Sequence, residues 1–271
     1  MKYSIGMIGG GNMGSAMIGG ILGGKVCTPD KIIACDKSEA ATARLKDRYG
    51  IATVSDPATA ADADVVIIAV KPAQVADVLA SIREVLTPEQ IVVSIAAGVA
   101  IKKVEEGLIS KAMAGRMKVM RVMPNTPALV GEAMCALAPN QFMLQEDIDK
   151  VKDIFSSFGR AEVVNEEMMD VVTGLSGSSP AFIYILIEAM ADAAVAEGMP
   201  RQMAYTFAAQ TVLGSAKMVL ETGEHPAKLK DAVCSPGGTT IRGVLALEEY
   251  GFRDSIQAAI REATERSREL S

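Results

Sequence analysis

The sequence predicts an α/β domain built on a doubly wound, mainly parallel sheet, followed by an all-α domain. Three observations predict it. Short apolar runs alternate with amphipathic segments from the N-terminus to Val164, the pattern of a sheet covered by helices on both faces. A glycine-rich turn, Gly9-Gly10-Gly11-Asn12-Met13-Gly14, follows the first run and opens a helical segment. Beyond Asn165 no strand signal recurs. The domains are therefore expected at 1–164 and 165–271.

Residues 4–8 read as the first buried strand, and the glycine turn leads into a helix ending near Leu22. The second strand, 31–35, ends at Asp36, and Ser38 caps a helix over 38–48. Residues 64–70 form a continuous β-branched run, as a central parallel strand buried on both faces requires. Residues 90–95 and 118–122 repeat that pattern, and 135–138 and 161–164 read as shorter strands. Asn165 followed by Glu166 and Glu167 is a helix start, with acids placed against the positive end of the helix dipole. Helices follow over 179–197, 201–221, 226–233, 241–249 and 253–269. Ile183-Tyr184-Ile185-Leu186-Ile187 carries apolar side chains around every face of its helix. Such a helix is buried all round, and a partner subunit is the simplest cover, so the second domain is expected to form a homodimer.

Composition bounds the function. The chain has 271 residues, 49% of them hydrophobic, and a net charge of −6. An acidic chain with no Trp and 4% aromatics lacks the basic face and stacking platforms that nucleic acid requires. Cys27, Cys35, Cys135 and Cys234 have no metal-ligand spacing and read as thiols of a reducing compartment. The first strand begins by Tyr3 and leaves no room for a leader, while Glu188 and Asp192 interrupt the best apolar run. A cytoplasmic protein with neither membrane nor metal is expected.

Gly9, Gly11 and Gly14 match G-x-G-x-x-G directly after a strand and at a helix start, and Asp36 ends the next strand at the spacing the dinucleotide fingerprint requires. This is the sequence mark of a Rossmann domain. Ile8, Gly9, Gly10, Gly11, Asn12, Met13 and Gly14 are its candidate cofactor contacts. Asp36-Lys37-Ser38 leaves NADH and NADPH both open: the carboxylate suits a free ribose hydroxyl, whereas Lys37 and Ser38 suit a 2′-phosphate. Ala69-Val70-Lys71-Pro72 and Ile95-Ala96-Ala97-Gly98 follow strands at the carboxyl edge of the sheet, where cofactors lie; each also serves as an ordinary tight turn. In Met123-Pro124-Asn125-Thr126-Pro127 the prolines fix the loop, and Asn125 and Thr126 either face the nicotinamide or substrate or serve the geometry of a rigid connector.

A second glycine-rich segment, Ser235-Pro236-Gly237-Gly238-Thr239-Thr240, precedes the helix expected from Ile241. Two glycines permit close backbone approach, and a helix start favours an anion. Gly174-Leu175-Ser176-Gly177-Ser178-Ser179-Pro180-Ala181 is the other polar loop. It suits a substrate wall through Ser176 and Ser178, or a helix cap at Ser178 or Ser179. The usual acid–base sets are missing, and the single histidine, His225, reads as a loop residue before Pro226. A nicotinamide enzyme without such a residue suits an imine that arrives protonated and needs only cofactor, position and orientation.

Taken in order, the glycine turn, Ala69-Val70-Lys71-Pro72, Met123-Pro124-Asn125-Thr126-Pro127, Gly174-Leu175-Ser176-Gly177-Ser178, Leu229-Lys230-Asp231 and Ser235-Pro236-Gly237-Gly238-Thr239-Thr240 resemble the pyrroline-5-carboxylate reductase family over essentially the whole chain. The resemblance implies NAD(P)H-dependent reduction of Δ1-pyrroline-5-carboxylate to L-proline. It also implies a dimerising helical domain, often within a decamer of five dimers. It gives Thr240 the ring nitrogen and Gly237, Gly238 and Thr239 the substrate carboxylate. Asp56 falls where some members carry an asparagine near the adenosine. Another imine or hydroxyacid dehydrogenase is the alternative, but such enzymes usually carry a lysine on the long helix, and 179–197 contains none. A silent nucleotide-binding regulator is the other, and its substrate loop would be degraded.

Overall fold

The computed structural model describes residues 1–109 and 116–270. Strands and helices alternate as β1 (Tyr3–Ile8), α1 (Asn12–Gly23), β2 (Ile32–Cys35), α2 (Glu39–Tyr49), β3 (Ala52–Val54), α3 (Pro57–Ala60), β4 (Ala63–Ile68), α4 (Val75–Ile82), β5 (Ile91–Ser94), α5 (Ile101–Gly107), β6 (Lys118–Met123), β7 (Ala133–Pro139), α6 (Gln145–Ser156) and β8 (Gly159–Val163). Helices follow: α7 (Met169–Val172), α8 (Ser179–Ala196), α9 (Arg201–Thr222), α10 (Pro226–Val233), α11 (Thr239–Glu249) and α12 (Phe252–Leu270).

The eight strands lie in the order β3-β2-β1-β4-β5-β6-β7-β8. β7 runs antiparallel to β6 and every other pair is parallel. Alternation along β4 explains why its run 65–68 is apolar without a break. Val65 and Ile67 join one core cluster, with Met17, Ile18 and Phe155. Val66 and Ile68 join the other, with Val78, Leu79 and Val104. Successive side chains of a strand face opposite ways, so each face of the sheet is closed by its own layer of helices. The order reverses between β1 and β4, which opens a crevice beyond their carboxyl ends.

The chain divides into two compact units. The first comprises Met1–Gly177 and the chain end from Ala263; the second is Ser178–Glu262. Residues 165–177 belong with the sheet because side chains fasten them there. Glu166 Oε1 accepts the Ile101 N–H at 2.7 Å and the Arg121 Nη1–H at 3.2 Å, and Met169 is buried in the core. Glu166 thereby caps α5, whose own Ala100 offers no side-chain acceptor, and neutralises a buried guanidinium.

The structure corrects three expectations. Residues 52–54 form the edge strand β3, too short to leave a periodic signal. The polar stretch after α7 is a π-helical turn, Thr173–Gly177, not a loop. Its hydroxyls bond back to carbonyls four residues earlier, Thr173 to Met169 at 2.8 Å and Ser176 to Val172 at 3.1 Å. Ser178, one of the two expected positions, is the N-cap of α8, with helical dihedrals and no side-chain capping bond. Finally, Glu166–Ala196 is long and apolar enough, by length and composition alone, to cross a membrane despite Glu188 and Asp192.

In the second unit α8 and α9 pack against each other, with Ala191, Ala204 and Ala208 buried. The larger apolar side chains stay outside: Ile185 is 64% and Phe207 60% exposed.

Glu166→Ala leaves Arg121 buried without its carboxylate and should lower stability by about 2 kcal/mol, read as a shift in the urea midpoint. Glu166→Gln keeps an acceptor for Ile101 and should cost about half as much. An unchanged midpoint in the alanine variant refutes the pin.

Candidate functional site

The crevice is built from the glycine turn upward. Gly9 adopts φ +113°, a conformation that side chains disfavour. A Cβ there would also fall 2.4 Å from the Ala69 carbonyl oxygen, and one on Gly14 would fall 2.0 Å from the Gly9 carbonyl oxygen. These contacts seat α1 against β1 and β4. Gly11 differs: a Cβ there meets nothing within 4 Å. It is the N-cap of α1, with extended backbone, no side-chain cap and no acid in the first turn. Open space before an uncapped helix start fits a pyrophosphate, so the residues present suit a dinucleotide.

Beside this turn lies a cleft. Of the expected contacts, it brings together Ile8, Gly9, Asp36, Lys37 and Val70. Cys35, Pro57, Gln74 and Val78 also line it and were missed. Gln74 ends the 3₁₀ turn that Lys71 and Pro72 open, so the Lys-Pro signal located the segment but not its polar tip. Burial, reinforced by Asp36 and Asp56, pushes the Cys35 thiol up to about 11.

The acids around the cleft are engaged with backbone. Asp36 Oδ2 accepts the Gly10 N–H at 2.7 Å and Oδ1 the Ser38 N–H at 2.8 Å. The Ser38 hydroxyl accepts from Ala41 at 3.3 Å and caps α2. Asp56 caps α3, accepting from the Thr59 hydroxyl at 2.7 Å and from the Ala58 and Thr59 amides. The Thr59 hydroxyl, then the Ala58 amide, hold its carboxyl below the ordinary range.

Other expected residues stand apart from that cleft. Pro72 and Ala97 line a different hollow, with Val75, Leu79, Gly98 and Leu270. Ile95 continues the parallel ladder, its N–H on the Ile68 carbonyl at 3.1 Å, and Ala96 is buried behind it. Asn125 Oδ1 accepts the Met134 N–H at 2.9 Å, and Nδ2 donates to the Ser176 carbonyl at 3.1 Å. Its amide therefore ties β7 and the π turn to the loop after β6.

In the second unit the Ser-Pro-Gly-Gly segment is a tight turn closed by the Gly238 N–H on the Ser235 carbonyl at 3.0 Å. Gly237 has φ +69°, as the third residue of a type II turn requires, and Pro236 suits that turn's second place. A Cβ on Gly238 would fall 2.2 Å from Ser235 Oγ. α11 starts at Thr239, two residues ahead of the expected 241, with Gly238 as an N-cap that has no side chain to offer. Thr239 and Thr240 thus occupy the first helical turn, among N–H groups free to bind an anion. His225 caps α10, its Nδ1 accepting the Ala227 N–H at 3.2 Å. Among the described residues no three His, Cys, Asp or Glu side chains cluster as metal ligands.

Comparison with known proteins accounts for both halves. A family model described as pyrroline-5-carboxylate reductase dimerisation matches residues 166–270, and one described as NADP oxidoreductase, coenzyme F420-dependent, matches 4–98. The pyrroline-5-carboxylate reductase of Escherichia coli is 48% identical over all of this chain and 99% of its own length. That of Methanosarcina acetivorans is 48% identical over 99% of this chain and 98% of its own. A solved reductase of that name from Coxiella burnetii superposes with a TM-score of 0.92 at 33% identity, covering 100% of this chain and 99% of the other. A Plasmodium falciparum pyrroline carboxylate reductase with NADP bound gives 0.85 at 32% identity, with the same coverage.

Gly11→Ala should keep the wild-type unfolding temperature yet weaken NADPH about tenfold, because its Cβ enters only the space before the helix. Gly14→Ala should lower both stability and affinity. Fluorescence titration and thermal unfolding read the two effects. Wild-type affinity in Gly11→Ala removes the pyrophosphate from that position.

Proposed function

This chain belongs to the pyrroline-5-carboxylate reductase family, and on that premise we propose that it reduces Δ1-pyrroline-5-carboxylate to L-proline with NAD(P)H. The observation that carries the reading is the start of α11. It offers an uncapped helix terminus with two threonines in its first turn, directly after a glycine turn that clears room for a small carboxylate.

The dinucleotide, when bound, supplies the hydride. The chain's own residues bind and orient. The free N–H groups at Gly11, Asn12 and Met13 take the pyrophosphate. Ile8, Asp36, Lys37, Ser38, Asp56 and Val70 hold the adenosine side, while Ala69, Lys71, Pro72, Ile95, Ala96, Ala97 and Asn125 shape the remaining cofactor wall. Gly237, Gly238 and Thr239 hold the substrate carboxylate through backbone N–H groups. The Thr240 hydroxyl bonds the ring nitrogen and fixes which face of the ring is presented. Ser176 and Ser178 form a further part of the substrate wall. No side chain has to deliver a proton, since the cyclic imine arrives protonated. That agrees with a lone histidine spent on capping α10.

The helical region carries the family's dimerisation module, and the exposed apolar side chains of α8 and α9 supply the contact surface. We infer a homodimer that assembles further into a decamer. All four cysteines are free thiols, which suits the reducing cytoplasm.

Mixing the protein with pyrroline-5-carboxylate and either reduced cofactor should bleach the nicotinamide absorbance; no oxidation with NADH or NADPH defeats the reading. Thr240→Ala should lower kcat by roughly ten- to a thousandfold, the loss of one transition-state hydrogen bond. An unchanged kcat removes Thr240 from the mechanism. Gly238→Val should raise KM for the imine about tenfold or more and leave the NADPH Kd alone; equal loss of both refutes the division of labour.

A further inference from the structure

Gly10 is held at both ends by side chains of opposite charge. Its N–H donates to Asp36 Oδ2 at 2.7 Å. Its carbonyl accepts from Arg44 Nη2 at 3.0 Å. Leu45, the neighbour of Arg44 on α2, lies directly against Gly10, where a Cβ would fall 2.8 Å from its Cδ1.

This arrangement gives Asp36 a structural task besides any contact with the cofactor. In a dinucleotide fold the acid ending the second strand ordinarily takes the adenosine 2′-hydroxyl. Here both its oxygens already accept backbone N–H groups, from Gly10 and from Ser38. Arg44 has the opposite standing. A guanidinium carries five donors in a planar fork, the bond to Gly10 uses one, and the residue is exposed. Lys37 lines the adjoining cleft. Arg44 and Asp36 thus share the Gly10 peptide, and a fork of donors matches a phosphate better than a hydroxyl.

We propose that Arg44 is a specificity-determining residue of the cofactor site: it takes the 2′-phosphate of the adenosine moiety, while Asp36 serves the glycine turn, and NADPH is preferred over NADH. The proposal rests on the dinucleotide reading of the cleft and is independent of which imine is reduced.

Calorimetric titration of the full-length protein with adenosine 2′,5′-bisphosphate and with 5′-AMP tests it without catalysis. The wild-type protein should bind the bisphosphate at least about tenfold more tightly than 5′-AMP. Arg44→Ala should erase most of that gap and leave 5′-AMP within about twofold. Arg44→Lys, which keeps the charge but loses the fork, should fall between. Equal affinity for the two nucleotides in the wild type, or a preference for 5′-AMP, overturns the proposal. So does an equal loss of both in Arg44→Ala, the result for a residue that only braces the turn. Failure of the wild type to bind NADPH, NADH or either nucleotide overturns the dinucleotide reading itself, a result distinct from the others.

Discussion

The structure of the first unit hangs on backbone contacts too close for any side chain. Gly14 lies over the carbonyl of Gly9, and Gly9 lies over that of Ala69. Through these two approaches α1 is lowered onto the sheet where the strand order reverses between β1 and β4. The helix axis, and with it the free N–H groups at Gly11, is thereby aimed over the crevice. Everything assigned to the cofactor follows from that aim: the Gly10 peptide within reach of Asp36 and Arg44, and the cleft beyond it lined by Val70 and Gln74. Close packing transmits such constraints because the interior has no slack to absorb them.

Much of this was legible because the signals were short-range and strong. The buried runs of β4 and β5, the Ser38 cap and the glycine turn each declare themselves within a few residues. What stayed hidden depends on partners distant in the chain. Nothing near Glu166 marks it as the cap of a helix that starts at Ile101. Asn125 reads as a loop residue of open purpose, and only the fold brings Met134 and Ser176 to its amide. Asp36 was legible by type and spacing, but its commitment to Gly10 was not. The π turn was misread for another reason: Gly174, Ser176 and Gly177 carry loop composition, and hydroxyl back-bonding made that composition compatible with a helix.

The second unit shows the same division between local and distant causes. Periodicity places its helices, with the start of α11 two residues late because threonines are poor markers of a helix interior. The apolar belt of α8 was the more instructive signal. Within one chain it is a liability, with Ile185 largely in water and a stretch that satisfies the length and apolarity of a membrane span. It lies within the dimerisation match over 166–270.

Cys35 lines the cofactor cleft, is almost wholly buried, and has its thiol pushed up to about 11. Thiolate is the species that attacks peroxides and alkylating agents. The raised pKa keeps Cys35 as the thiol at neutral pH. The cleft thus contains a sulfur that burial holds in its unreactive thiol form.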